Sequence, residues 1–273
     1  MTTGLYISAC LRQARPRLST LLKLMFGEAL AFGQNTLWLG SVIELIEPLG
    51  FQERTIRTAL FRLARHNIIS IQRHGRRSAC RLTPEAASAV LEARHRLSQP
   101  AVRSFDEKWS MVVNTGDISA ARFASARKHL LEQEYCLLAP NLLARPASYL
   151  AQHEVLDLAR FDVSGSQLAA AARQPDVGND LETPAAMYQQ FQQRFLPLRQ
   201  MLGQRGAFND EQAYVVRMLV SHAYQHCRRS DPLLPRELLP ETWPASAAQQ
   251  TYVALYNGCA TQARRHTITK NQA

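Results

Sequence analysis

Five cysteines in 273 residues, at 10, 80, 136, 227 and 259, form no CxxC pair and no regular spacing. An odd, scattered set of this kind argues against a disulfide framework and against a cysteine zinc site, and a reducing cytosol is the expected home. No apolar run approaches the roughly 20 residues of a membrane helix, and the N-terminus lacks the zones of a signal peptide, so a soluble, cytoplasmic, unprocessed chain is expected. Also missing are a GxSxG elbow, a phosphate-binding GxxxxGK[ST] loop and a HExxH helix, and with them the common signatures of nucleophilic, nucleotide-dependent and zinc-dependent catalysis. Internal repeats and low-complexity tracts are absent too.

Acidic residues are scarce: 22 Asp and Glu stand against 32 Lys and Arg, a formal charge of +10. The excess is uneven. Met1 to Lys108 holds 16 of the basic and 8 of the acidic residues, a surplus of 8, whereas the remainder has a surplus of only 2. One segment is therefore suited to meet phosphates while the rest senses or assembles.

That segment is periodic. Leu18 to Ala31 reads as a helix ending at Gly33, and Leu39 to Leu49 as a short second helix stopped by Pro48 and Gly50. A third begins at Gln52, where a wheel of about 100° per residue puts Ile56, Ala59, Leu60 and Leu63 on one face. Arg54, Thr58, Arg62 and Arg65 lie broadly opposite, with Thr55 and Arg57 on the flanks. The β-prone Ile68 to Arg73, a turn at His74 and Gly75, and Ser78 to Leu82 form a two-stranded wing. Thr83 as N-cap with Pro84 at the first helical position opens a helix to about Leu97.

Helix, helix, helix, hairpin, helix is the order of a winged helix-turn-helix, whose third helix docks in the major groove of DNA. Arg54 and Thr58 near its start would face base edges, where Arg can donate two hydrogen bonds to guanine. Arg57, Arg62 and Arg65 are better placed for phosphates. In the wing, Arg73, His74, Arg76 and Arg77 crowd like charges into one turn, which self-repels unless phosphates or acidic groups relieve it. Ser78 either donates to a phosphate or simply starts a strand. The plainer alternative for the helix is a solvated polar face, which the adjoining basic wing disfavours.

After a polar linker from Gln99 to Phe105, a β-α-β-β-α-β unit is expected: strands at Trp109 to Val113, Tyr135 to Ala139, Leu142 to Ala144 and Arg160 to Val163, helices at Ser119 to Glu134 and Ser148 to Leu158. This is the pattern of a ferredoxin-like sandwich. Such domains can be nucleases, but the end of the first strand carries Asn114, with the nearest acid at Asp117 in a loop. The remainder reads as helices over Leu181 to Gln204, Asp210 to Arg229 and Ala245 to Arg265. The connector from Ser230 to Pro244 has four prolines and Trp243, and is expected to pack as a strap. His222 and His226 stand four apart on a helix, a spacing able to hold a metal ion, but no third ligand is apparent and helix-helix hydrogen bonding is expected instead. No metal and no cofactor site is assigned.

The stretches MFGEAL (Met25 to Leu30), LWLGSVIELIEPLGFQERTIRTALFRL (Leu37 to Leu63), GRRS (Gly75 to Ser78), LLAPNLLARP (Leu137 to Pro146) and DPLLPRELLPETW (Asp231 to Trp243) resemble, in order, the PaaX family of transcriptional repressors of phenylacetic acid degradation. The resemblance spans nearly the whole chain. It implies a non-enzymatic, multidomain α+β regulator: a winged-helix DNA-binding domain over 1–99, a ferredoxin-like (Cas2-like) domain over 105–165 that dimerises, and a helical domain over 166–273 that senses an effector.

By the same resemblance, members bind double-stranded operator DNA as homodimers and release it when an aryl acyl-CoA such as phenylacetyl-CoA binds. The DNA-contacting set carries over to Arg54, Arg57, Thr58 and Arg62 in the helix and to Arg76 and Arg77 in the wing, beside Arg73 from the charge pattern; no effector pocket carries over. Where the family has HxYRR, this chain has His222, Ala223, Tyr224, Gln225 and His226, and Arg228 and Arg229 follow as possible substitutes. The rivals are a metal-dependent nuclease built on the middle domain and a paralogous regulator of another pathway, with activation as an alternative to repression.

Overall fold

The computed structural model describes residues 2–101, 108–114, 116, 118–132, 135–146, 159–164, 181–204, 206–231, 233, 234, 236 and 239–272. They fall into two compact units. One combines Met1–Gln99, Gln190–His226 and Ala247–Ala273; the other combines Pro100–Gln189 and Cys227–Ser246.

In the first unit, α1 (Thr3–Ala14) and α2 (Leu18–Ala31) precede a two-residue strand β1 (Leu37–Trp38) and α3 (Leu39–Ile46). Pro48 prevents α3 from continuing as an α-helix, and Glu47–Leu49 closes as a single 3-10 turn ended by Gly50 at φ 89°. Helix α4 (Glu53–Arg65) follows, then the strands β2 (Ile69–His74) and β3 (Arg77–Leu82) and helix α5 (Pro84–Ser98). As expected, Thr83 caps α5, its hydroxyl accepting from the Ala86 amide at 3.4 Å and donating to the Asn67 carbonyl at 2.9 Å. The hairpin has a third strand that its sequence does not announce, because β1 pairs antiparallel with β3, Leu37 opposite Cys80 and Trp38 opposite Ala79.

The core of this unit is built from the apolar faces predicted by periodicity. Leu21, Leu22 and Met25 of α2, Val42, Leu45 and Ile46 of α3, and Ile56, Leu60 and Leu63 of α4 are all buried. Gly27 lets α2 approach α5: a Cβ there would collide with the Val90 side chain.

Helices α7 (Glu182–Leu202), α8 (Asp210–Ser230), α9 (Ala245–Gly258) and α10 (Ala260–Gln272) follow further along the chain. The single helix expected from Ala245 to Arg265 is thus two helices, interrupted at Cys259, and the second runs on to Gln272. Gly258 beside the break leaves room for Leu202, whose side chain a Cβ would strike.

Within the first unit, buried Glu28 of α2 meets buried Arg217 of α8. The Arg217 Nε and NH2 groups donate to Glu28 Oε2, each at 2.7 Å, and the Tyr256 hydroxyl donates to Oε1 at 2.6 Å. Arg94 Nε donates to that same hydroxyl at 2.8 Å, Arg217 also donates to the Tyr256 carbonyl, and its guanidinium lies 3.4 Å over the Tyr256 ring. Burial, then the Glu28 charge, pushes the Tyr256 hydroxyl up to about 12. A buried ion pair is tolerable only with its remaining donors and acceptors satisfied, as they are here.

The second unit holds strand β4 (Lys108–Val113), helix α6 (Ala120–Glu132) and strands β5 (Cys136–Ala139), β6 (Leu142–Pro146) and β7 (Ala159–Ser164). Their antiparallel sheet has the order β5-β6-β4-β7. Val112, Phe123, Leu130, Tyr135 and Leu143 form its core between α6 and the sheet. The helix expected over Ser148 to Leu158 lies outside the described residues, as does Asp117. The proline-rich connector packs as anticipated: Trp243 is buried edge-on against Tyr188 at 6.3 Å, and the Tyr188 hydroxyl donates to buried Asp231 at 2.6 Å.

Candidate nucleic-acid interface

Helix α4 projects its arginines because its other face is committed to the core. With Ile56, Leu60 and Leu63 buried, Arg54, Arg57, Thr58, Arg62 and Arg65 are all exposed. Glu53, in the first turn, suits the positive end of the helix dipole and accepts from Arg57 through Nε at 2.7 Å and NH2 at 2.6 Å. Both partners are about half exposed, and a surface pair of this kind is worth about 0–1 kcal/mol. Arg57 can therefore exchange Glu53 for a phosphate at little cost. Thr58 turns its hydroxyl back to the Arg54 carbonyl at 2.9 Å.

The wing is a tight hairpin in which Arg73 faces Ser78 and His74 faces Arg77 across the strands. Its two-residue loop is Gly75 and Arg76, and of these only Gly75 has positive φ, at 60°, the requirement of a type II′ turn. Trp38 of β1 braces this end: its ring meets His74 edge-on at 6.2 Å and lies under the Arg77 guanidinium at 5.6 Å. Arg73 Nε donates to the Gly75 carbonyl at 3.1 Å, which fixes the side chain along the loop.

Two concavities flank α4. One, of about 830 Å³, gathers Arg54, Thr58 and Arg62 with Arg17, Lys23 and His66. The other, of about 500 Å³, gathers Arg57, Arg73, Arg76 and Arg77 with Ser78, the first turn of α3 and one acid, Glu44. The seven candidate residues thus divide between two concavities that share α4. Arg17 and Lys23, which sequence reasoning passed over, join it from the start of α2. The clue available was the basic run Arg12, Arg15, Arg17 before an otherwise apolar helix. Among the described residues Arg54, Arg62, Arg65, Arg73 and Arg76 have no carboxylate within ion-pair distance.

Two further candidates resolve differently. His222 Nε2 accepts the backbone amide of Arg17 at 3.3 Å, so it serves helix packing as expected. No group of three or more His, Cys, Asp or Glu able to hold a metal occurs among the described residues. At the end of β4, Asn114 accepts from the Gly116 amide at 3.1 Å and donates to the Ile118 carbonyl at 3.5 Å, the arrangement of a turn. Arg228, a suggested stand-in for the family's missing arginines, is engaged inside the second unit, donating to the Ala101 carbonyl at 3.2 Å and lying 4.0 Å from Asp231. Arg229 is exposed.

An exposed helix face with unneutralised arginines, continued by a basic hairpin, gives this module a strongly positive surface, the kind that attracts polyanions. The comparisons with known proteins make that class specific. The chain matches "PaaX-like protein" over residues 17–86, which hold the whole candidate face, and "PaaX-like protein C-terminal domain" over 179–269. It is 32% identical over 274 residues to the transcriptional repressor PaaX of Escherichia coli (strain K12), covering 93% of this chain and 84% of that protein. The chain belongs to the PaaX family. Its fold is similar to that of the uncharacterized protein Rv0674 from Mycobacterium tuberculosis, with a TM-score of 0.52 and 20% identity over 84% of this chain and 90% of that one. None of the described helices is long and apolar enough to cross a membrane.

Proposed function

We propose that the chain is a transcriptional repressor that binds operator DNA through α4 and the β2-β3 wing and is released by an aryl acyl-CoA such as phenylacetyl-CoA. The observation that carries the DNA half is the set of exposed arginines on α4 and the wing that lack carboxylate partners. On this reading α2, α3, α4 and the hairpin are a winged helix-turn-helix. Arg54 and Thr58 address base edges, while Arg57, Arg62, Arg73, Arg76 and Arg77 hold phosphates. The middle sheet, with β4 central between β6 and β7, is read as ferredoxin-like (Cas2-like) and as the dimerising element. The effector half rests on family membership alone.

Effector would act by population shift, binding best to a conformation in which the two recognition helices of the dimer no longer match the half-site spacing. A gel shift on the gene's own upstream region tests both halves. Arg54→Ala should cost roughly 1–3 kcal/mol on operator and much less on scrambled duplex, whereas Arg76→Ala should weaken both alike. Unchanged binding in both variants sinks the DNA assignment. Phenylacetyl-CoA should abolish the shifted complex while free phenylacetate and CoA should not; an unaffected complex sinks the effector assignment.

A further inference from the structure

The arginine face of α4 contains one side chain that phosphate binding leaves without a role. Phe61 is 67% exposed, more than any other large hydrophobic residue among those described, and it is the only exposed aromatic of that group. Single exposed apolar residues are ordinary on protein surfaces, so exposure alone says nothing. Position does. Arg54, Thr58, Phe61 and Arg65 stand at i, i+4, i+7 and i+11, one stripe of the helix directly opposite Ile56, Leu60 and Leu63. Phe61 is thus on the outward face of α4, between the arginines that line the two concavities.

The surroundings select the occupant. A second copy packed face to face on this stripe would set Arg54 and Arg65 against like charges, and the one acid of α4, Glu53, is already engaged by Arg57. An apolar protein surface would have to desolvate the same arginines unpaired. A nucleic-acid duplex instead supplies phosphates for the flanks, and its major groove floor offers one apolar group, the thymine 5-methyl.

We propose that Phe61 is a specificity-determining residue that reads thymine by packing its ring against 5-methyl groups in the major groove, beside Thr58. This rests on the DNA reading of α4. Phe61 adds what hydrogen-bonding arginines do not, a preference for T·A steps that needs no donor or acceptor.

The test uses the full-length protein and duplexes that it enriches from a random pool. Replacing thymine by uracil, one position at a time, keeps every groove donor and acceptor and removes only the methyl. The unaltered protein should lose about fourfold in affinity at each thymine that Phe61 touches, the ratio that burying one CH2 equivalent gives. Phe61→Ala should bind thymine and uracil duplexes equally, Phe61→Leu should keep part of the difference, and both should melt as the unaltered protein does, since the ring is outside the core. A thymine-to-uracil ratio that persists undiminished in Phe61→Ala overturns the assignment to Phe61 while leaving DNA binding intact. A uracil-insensitive unaltered protein overturns it as well. Failure to enrich any duplex overturns the DNA reading and this proposal together.

Discussion

Replacing Arg217 with Met removes two hydrogen bonds to Glu28 Oε2, one to the Tyr256 carbonyl, and the guanidinium stacked on the Tyr256 ring, while preserving most of the side-chain volume. Glu28 would remain buried, with the Tyr256 hydroxyl as its remaining strong donor. Breaking a buried pair from one side costs roughly 3–5 kcal/mol, because the surviving charge keeps its desolvation penalty and loses its compensation. Against a typical total of about 5–15 kcal/mol, this is a large fraction. With a urea dependence of about 1–3 kcal/mol per molar, the unfolding midpoint followed by circular dichroism should fall by at least about 1 M. The double variant Glu28→Gln, Arg217→Met removes the orphaned charge and should recover half or more of that loss, a coupling that the double-mutant cycle measures directly. If Arg217→Met costs less than about 1 kcal/mol, or if the two single losses simply add, the pair is not the internal clamp described above.

The remaining predictions concern surface and core. Arg76→Ala should lower the salt slope of DNA binding by about one unit, measured as affinity against salt concentration; an unchanged slope would mean that no phosphate sits at the wing tip. Gly27→Val should cost roughly 1–3 kcal/mol or more in thermal melts by driving a side chain into Val90, and near-neutrality would contradict the close approach of α2 and α5. Burial holds His266 below the ordinary imidazole value of 6.5, so the folded state binds fewer protons than the unfolded one. Its contribution is therefore present above that value and is lost as pH falls below it. Denaturant midpoints should decline less steeply over this window in His266→Gln than in the unaltered protein, and identical slopes would count against the shift. Burial pushes the Cys80 and Cys259 thiols up to about 11 and about 12, so neither should react with thiol reagents at neutral pH until the protein unfolds, as mass spectrometry would register.

The candidate face was legible because it is built from short-range signals. The spacing of Ile56, Leu60 and Leu63 fixes which side of α4 is buried, and Gly75 marks the hairpin turn; both come from neighbours in the chain. What escaped reading depends on distant partners. Strand β1 has two residues and exists only by pairing with β3, and the Trp38 amide is held by the Asn271 side chain at 3.1 Å from the far end of the sequence. Helix α1 buries only Ile7 and Cys10, too sparse a stripe to stand out from a polar segment. The break at Cys259 comes just after Gly258, a poor helix former whose place against Leu202 only the folded packing reveals. Arg17 and Lys23 belong to the face through the packing of α2 beside α4, which no periodicity in either helix encodes.

The Glu28 and Arg217 pair also has a schedule. The two residues are 189 positions apart, and at a synthesis rate of about 5–20 residues per second the carboxylate waits roughly 10–40 s on the ribosome for its guanidinium. For most of that interval the arginine-bearing segment is complete in sequence but lacks the counter-charge that makes its second helix fit to be buried. A nascent chain, or one cut short before α8, would thus carry α4 on an unfinished support. The arginine face is thus tied in synthesis to delivery of the helices that complete its unit.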